Sequence, residues 1–111
     1  MSDPLGPYRG AVDDAITDAE LDEIEARALG ATAGPWEAFV EGRDHLGGDD
    51  FIRTGGVEDD TAPDMYVSLA FPDRPGGVPA PPPDLDFIAA ARQDVPRLVK
   101  EIRRLRELDR S

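Results

Sequence analysis

The twenty-five residues from Asp84 to Leu108, DLDFIAAARQDVPRLVKEIRRLREL, constrain the fold more than any other stretch of the chain. Apolar residues recur at helical spacing on both sides of a proline. Asp84 is a good N-cap, and Phe87, Ile88 and Ala91 follow it on one face. Pro96 lacks an N–H and disfavours helix at the residue before it, so the pattern predicts a break or kink near Asp94–Val95. Asp94 can cap the second piece, with Pro96 in its first turn. Val95, Leu98, Val99, Ile102 and Leu105 then share a face, with Leu108 at its edge. Arg97, Lys100, Arg103, Arg104 and Glu107 fall outside it. Five buried aliphatic side chains at about 1.5–3 kcal/mol each give roughly 8–15 kcal/mol at most. Ordering the backbone beneath them costs about 1–2 kcal/mol per residue. Such a helix must pack on a sheet, another helix or a partner chain.

The chain is 111 residues long, enough for one domain with a modest core. It has no cysteine, which excludes disulfides, thiolate metal sites and a cysteine nucleophile. No apolar run approaches the ~18 residues of a membrane span. MSDPLGPYRG lacks the basic and apolar regions of a signal peptide, so the expected location is cytoplasmic. Twenty-four acidic and twelve basic residues give a net charge of −12. The charge is unevenly spread: residues 1–91 carry 20 acids and 5 bases, whereas residues 92–111 carry 4 acids and 7 bases. Such a field repels nucleic acid from most of the surface and attracts basic partners.

Residues 1–15 hold Pro4, Gly6, Pro7 and Gly10 and read as a flexible arm before a single domain over 16–111. Thr17-Asp18-Ala19-Glu20 fits a capping box, and Ile16 and Leu21 occupy the hydrophobic-staple positions. Leu21, Ile24, Ala28 and Leu29 form the apolar face of this first helix, and Gly30 stops it. Asp18, Glu20, Asp22, Glu23 and Glu25 crowd its front half. They suit the helix dipole, and they also offer a docking surface for something basic, which could be the C-terminal helix of the same chain. Trp36 opens a strand to about Arg43, with Phe39 on the otherwise polar side. Phe51–Thr54 reads as a second strand, and Met65–Phe71 as a third with Met65, Val67, Leu69 and Phe71 on one side. Residues 72–83, PDRPGGVPAPPP, read as a proline-rich linker. The prediction is an α+β domain: an N-terminal helix, a three-stranded antiparallel sheet, and a kinked C-terminal helix packed on the sheet. Its expected core is Leu21, Ile24, Leu29, Trp36, Val40, Ile52, Val67, Leu69, Phe87, Ile88, Leu98, Ile102 and Leu105.

Little in the sequence points to catalysis. His45 is the only histidine, so there is no histidine pair for a metal and no obvious triad. Gly47-Gly48 and Gly55-Gly56 lack the lysine and helix of a phosphate loop. The pairs Asp13-Asp14, Asp49-Asp50 and Asp59-Asp60 lack the ordered ligand series and closing Glu of a calcium loop. We expect no cofactor, no metal site and no enzymatic activity.

ITDAELDEIEARALGATAGPW together with DLDFIAAARQDVPRLVKEIRRLRE resembles a group of small actinobacterial and phage proteins similar to Ead-like phage early proteins. The matching positions are Ala31–Trp36 and Asp84–Pro96, with alanine at position 33 where proline is common. The resemblance implies a fold and a phage or bacterial setting, and it transfers no catalytic residue. The expected function is a non-enzymatic acidic binding protein of a phage or bacterial defence or immunity system, contacting a basic partner surface. Candidate partner-binding residues are Asp18, Asp22, Glu25, Glu58, Asp59, Asp60, Arg103 and Arg106. The alternatives are a DNA-mimic inhibitor and an enzyme or small-molecule binder. Self-association through Leu98, Ile102 and Leu105 of the C-terminal helix is a further expectation, and the overall charge argues against direct nucleic-acid binding.

Overall fold

The computed structural model describes residues 15–56 and 61–110. The elements run α1 (Asp18–Gly30), β1 (Glu37–Phe39), β2 (Phe51–Arg53), β3 (Asp64–Met65), β4 (Ser68–Ala70), β5 (Gly77–Pro79) and α2 (Pro82–Arg110). β1, β2 and β3 form an antiparallel sheet in that order, and β4 and β5 form a separate antiparallel pair. The α+β architecture predicted from the sequence is present: one helix, a three-stranded sheet, and a long C-terminal helix against both.

The capping box forms as its residue types dictate. The Glu20 N–H donates to Thr17 Oγ1 at 3.0 Å, and the Thr17 N–H donates to Glu20 Oε1 at 2.8 Å. α1 ends at Gly30, but not through a left-handed glycine. The cap is Ala31 in extended conformation, and its N–H donates to the Ala28 carbonyl. Leu21 is the residue of α1 that is fully buried.

The strands are shorter than predicted. β1 stops at Phe39 because the chain turns at once: the Asp44 carboxylate accepts from the Val40 N–H at 2.9 Å, and Gly42 takes φ +85°. Within the sheet, Ala38 faces Ile52, and Ile52 faces Met65. These side chains join Ala80, Leu85 and Ala89 in the main core cluster. One position along, Phe39 faces Phe51 on the opposite side, with ring centroids 5.3 Å apart and nearly parallel. That cross-strand stack accounts for the aromatic residue on the polar side of the strand.

The third strand and the linker need correction. The alternation over 65–71 predicts one strand, yet the chain leaves the sheet after Met65. Residues 68–70 pair instead with β5, which lies inside the supposed linker. Pro79 is tolerated there because a two-stranded pair consists only of edges, where a missing N–H breaks no central ladder. Leu69, Phe71 and Val78 stay more than a third exposed, so this hairpin is no part of the main core. It delivers Ala80, which is buried beneath α2 with Leu85. Pro82 and Pro83 open α2, two residues before the predicted cap, because first-turn N–H groups have no helical partner to lose.

α2 runs unbroken through Pro96 for 29 residues. Its buried side chains are Leu85, Ala89 and Val99. Ile88, Arg92, Val95, Ile102, Arg103 and Arg106 are partly buried along the same side. The inward face is therefore rotated from the predicted one: Val99 is 3% exposed but its neighbour Leu98 is 58% exposed. Leu29, Leu69, Phe87, Leu98 and Leu105, all expected in the core, are exposed. The rotation seats Leu85 and Ala89 against Ile52 and Ala80 and at the same time turns Arg103 and Arg106 towards the carboxylates of α1.

Candidate functional site

α1 lies antiparallel to α2, and the two are joined by a row of charged contacts. Arg103 Nη1 donates to Glu25 Oε1 at 2.9 Å, and Arg103 Nη2 donates to Asp22 Oδ1 at 2.5 Å. One turn on, Arg106 Nη1 donates to Asp18 Oδ1 at 2.8 Å, and its Nη2 donates to the Ile16 carbonyl. Arg110 adds a looser pair with Asp18 at 3.5 Å. The spacing explains the zipper: 18, 22 and 25 share one side of α1, and 103, 106 and 110 share one side of α2. The Arg103 guanidinium is held above its ordinary pKa, first by the hydrogen bond to Glu25. Five of the eight candidate partner-binding residues thus lie together, with their polar atoms taken up by one another. Glu58, Asp59 and Asp60 lie outside the described residues, as does most of the expected 1–15 arm.

A second set of polar contacts fixes the loops to α2. Arg43 makes a bidentate pair with Asp86 at 2.9 and 2.8 Å, and its Nε donates to Asp44 at 2.9 Å. Arg43 is raised above its ordinary pKa, first by Asp86 and then by Asp44. Asp44 is lowered, first by the Val40 N–H and then by Arg43, and Asp86 is lowered by Arg43. Gln93 bridges helix and strand: its Oε1 accepts from the Trp36 N–H at 2.7 Å, and its Nε2 donates to the Trp36 and Ala89 carbonyls. Arg92 donates to the Thr32 carbonyl at 2.9 Å. These anchors join residues 43 to 60 positions apart, so no local sequence signal marks them.

On the far side of the sheet, Arg53 sits over the Phe39 ring at 4.7 Å. Phe51 also touches His45 and Tyr66 at centroid distances of 5.5 and 5.9 Å. His45 Nδ1 donates to the Gly47 carbonyl at 2.9 Å, which holds the imidazole to its own loop. The adjacent acids act as loop caps: Asp50 accepts from the Glu41 N–H at 2.8 Å, and Glu41 accepts from the Gly47 N–H at 3.4 Å. Among the described residues, no group of three or more His, Asp and Glu side chains stands close enough to hold a metal ion. No helix among them is long and apolar enough to cross a membrane.

The remaining feature is apolar. Between the C-terminal half of α1 and the N-terminal half of α2 runs a groove of about 490 Å³, lined by Ile24, Ala28, Ala31, Trp36, Phe87, Ile88, Ala91 and Val95 with the stems of Arg27 and Arg92. Leu98, Leu105 and Leu108 continue the exposed apolar row along α2. No family model, no curated protein and no solved structure matches this chain.

Proposed function

We propose that this protein is a non-enzymatic acidic binding protein that acts by contact with a protein partner bearing a basic surface. The observation that supports this reading is where the positive charge of α2 goes. Arg103, Arg106 and Arg110 close onto Asp18, Asp22 and Glu25, and Arg104 closes onto Glu101. These four guanidinium groups are engaged within the chain, whereas Arg97 and Lys100 of α2 form no ion pair. Among the described residues Glu23, Glu37, Asp49, Asp64, Asp73 and Asp84 form no ion pair. With a net charge of −12, an approaching molecule meets carboxylates. The pairing neutralises three of the five acids of α1, Asp18, Asp22 and Glu25, which interrupts a row of free carboxylates and favours a protein contact over imitation of a phosphate backbone. The resemblance to Ead-like phage early proteins supplies the proposed setting, a phage or bacterial defence system.

Charge of this kind chiefly raises the association rate and the choice of partner. The test is capture of a partner from a bacterial host at low salt, followed by association kinetics at rising ionic strength. The reading expects the on-rate to fall steeply with salt while the off-rate changes little. An on-rate independent of salt, or a captured partner with an acidic contact surface, would count against it.

A further inference from the structure

The outer side of α2 presents apolar residues that the fold leaves uncovered. At 100° per residue, the exposed Phe87, Leu98 and Leu105 fall within an arc of about 20°, with the partly buried Ala91 and Ile102 along its inner edge. Phe87 is 75% exposed and Leu105 51%. α1 widens this surface, because Ile24 and Ala28 line the same groove as Phe87 and Ala91. From Phe87 to Leu108 the row is about 32 Å long, and two helices side by side are about 20 Å wide. α1 has 13 residues and doubles the width over only about 20 Å of that length, so the face covers roughly 520 Å² in projection, against the ~800 Å² per partner of a standard interface.

The polar edge of the row identifies the occupant. In order it reads Asp94, Arg97, Glu101, Arg104, alternating acid and base. Read in reverse, it alternates base and acid. Two copies of α2 placed antiparallel, with a two-fold axis at the level of Val99, set Asp94 opposite Arg104 and Arg97 opposite Glu101. Each pair occurs twice. Glu101 already holds Arg104 of its own helix at 2.6 Å, so the four charges of each copy would join one continuous row. The same axis brings Leu105 and Leu108 of one copy level with residues 93 and 90 of the other, over the groove that Ala91 lines between Phe87 and Val95. A parallel pairing in register would set like charge against like.

We infer that the outer face of α2, with the adjoining edge of α1, is the interface for a second copy of this chain in an antiparallel two-fold dimer. The dimer leaves the sheet and its acidic loops outward, so the inference does not depend on the partner proposed above. Sedimentation equilibrium of the full chain tests it, from about 1 to 200 µM. The expected mass is twice 12.0 kDa at the upper end. Leu98→Glu places a charge on the axis and is expected to give a folded monomer, as judged by an unchanged circular dichroism spectrum. Asp94→Arg is expected to raise the dissociation constant about tenfold, and Asp94→Arg with Arg104→Asp to restore it, because the reversed pairs face each other again. Should Leu98→Glu fail to fold, the charge-reversal pair decides alone. A chain that stays monomeric throughout overturns the inference. So does a dimer unaffected by Leu98→Glu, a charge reversal that its partner reversal does not rescue, or a face covered only by a different protein.

Discussion

Leu85 and Leu29 carry the same side chain on helical apolar positions, and the structure assigns them opposite weights. Leu85 is 1% exposed, packed with Ile52, Ala80 and Ala89, whereas Leu29 is 67% exposed. Leu→Ala removes about three methylene equivalents, or roughly 2.4 kcal/mol of transfer free energy at full burial. At position 85 the surrounding elements are fixed by strand pairing and the hairpin, so a residual cavity adds to this and the expected loss is about 3–4 kcal/mol. At position 29 about a third of the side chain is covered, which scales the term to ~0.8 kcal/mol, and the higher helix propensity of alanine offsets part of that. Urea unfolding followed by the fluorescence of Trp36, the single tryptophan, measures both. In a domain of this size each kcal/mol corresponds to about 4–8 °C in melting temperature. A Leu85→Ala variant within about 0.5 kcal/mol of the parent would refute the account of the core. A Leu29→Ala variant as destabilised as Leu85→Ala would do the same.

Thr17→Ala removes one arm of the capping box and is expected to cost about 1 kcal/mol, with Thr17→Ser near neutral; equal melting temperatures for all three chains would mean that the cap carries no weight. Gln93→Ala breaks two hydrogen bonds between α2 and Trp36, just before β1, and one to Ala89 within α2, for a loss of about 1–2 kcal/mol and a red shift of Trp36 emission. Unchanged emission would show that Gln93 does not hold that segment. The Asp86 pKa is depressed by Arg43, so this carboxylate contributes stability above its unfolded value near 4 and loses it as pH falls through the lower folded value. The difference between the parent and Asp86→Asn is therefore constant above about pH 5 and shrinks on acidification below about pH 4. A difference that grows towards acid pH would have the wrong sign.

The sequence carried the elements better than their orientation. Thr17 and Glu20 announce α1 because a capping box is a local event, confined to one turn. The antiparallel sheet is legible because Ala38 and Ile52 sit in short alternating runs bounded by glycine. Which sector of α2 faces inward is a different matter. Its apolar and aliphatic positions span more of the circumference than its neighbours can cover. The choice between Leu98 and Val99 is made by tertiary partners: β1 and β2 on one side, the carboxylates of α1 on the other. Arg103 lies on the inner side for that reason, although its residue type alone places it outside. The proline-rich segment misled for a related reason. A proline excluded from a central strand is acceptable in a lone hairpin and in the first helical turn, and residues 77–83 use both. Ala80 and Ala89 are too small to stand out in a hydrophobic pattern, yet their size lets Ile52 and Leu85 approach one another. Of the candidate site, the acids of α1 and the bases of α2 are individually visible, and so is the C-terminal helix as something those acids could dock; which residue meets which follows only from the antiparallel placement of the two helices.

That engagement is the central claim, since it decides which charges the molecule offers outward. Reversing one member, Glu25→Arg or Arg103→Glu, sets like charges against each other across the helix pair, whereas reversing both restores the attraction. The direct measurement is the melting temperature of the four chains at low ionic strength. The account predicts that both single reversals melt lower than the parent and that the double reversal recovers part of the loss, the remainder being the contact of Arg103 with Asp22 that it does not restore. Single reversals that melt like the parent, or a double reversal that melts as low as the sum of the two, would contradict it.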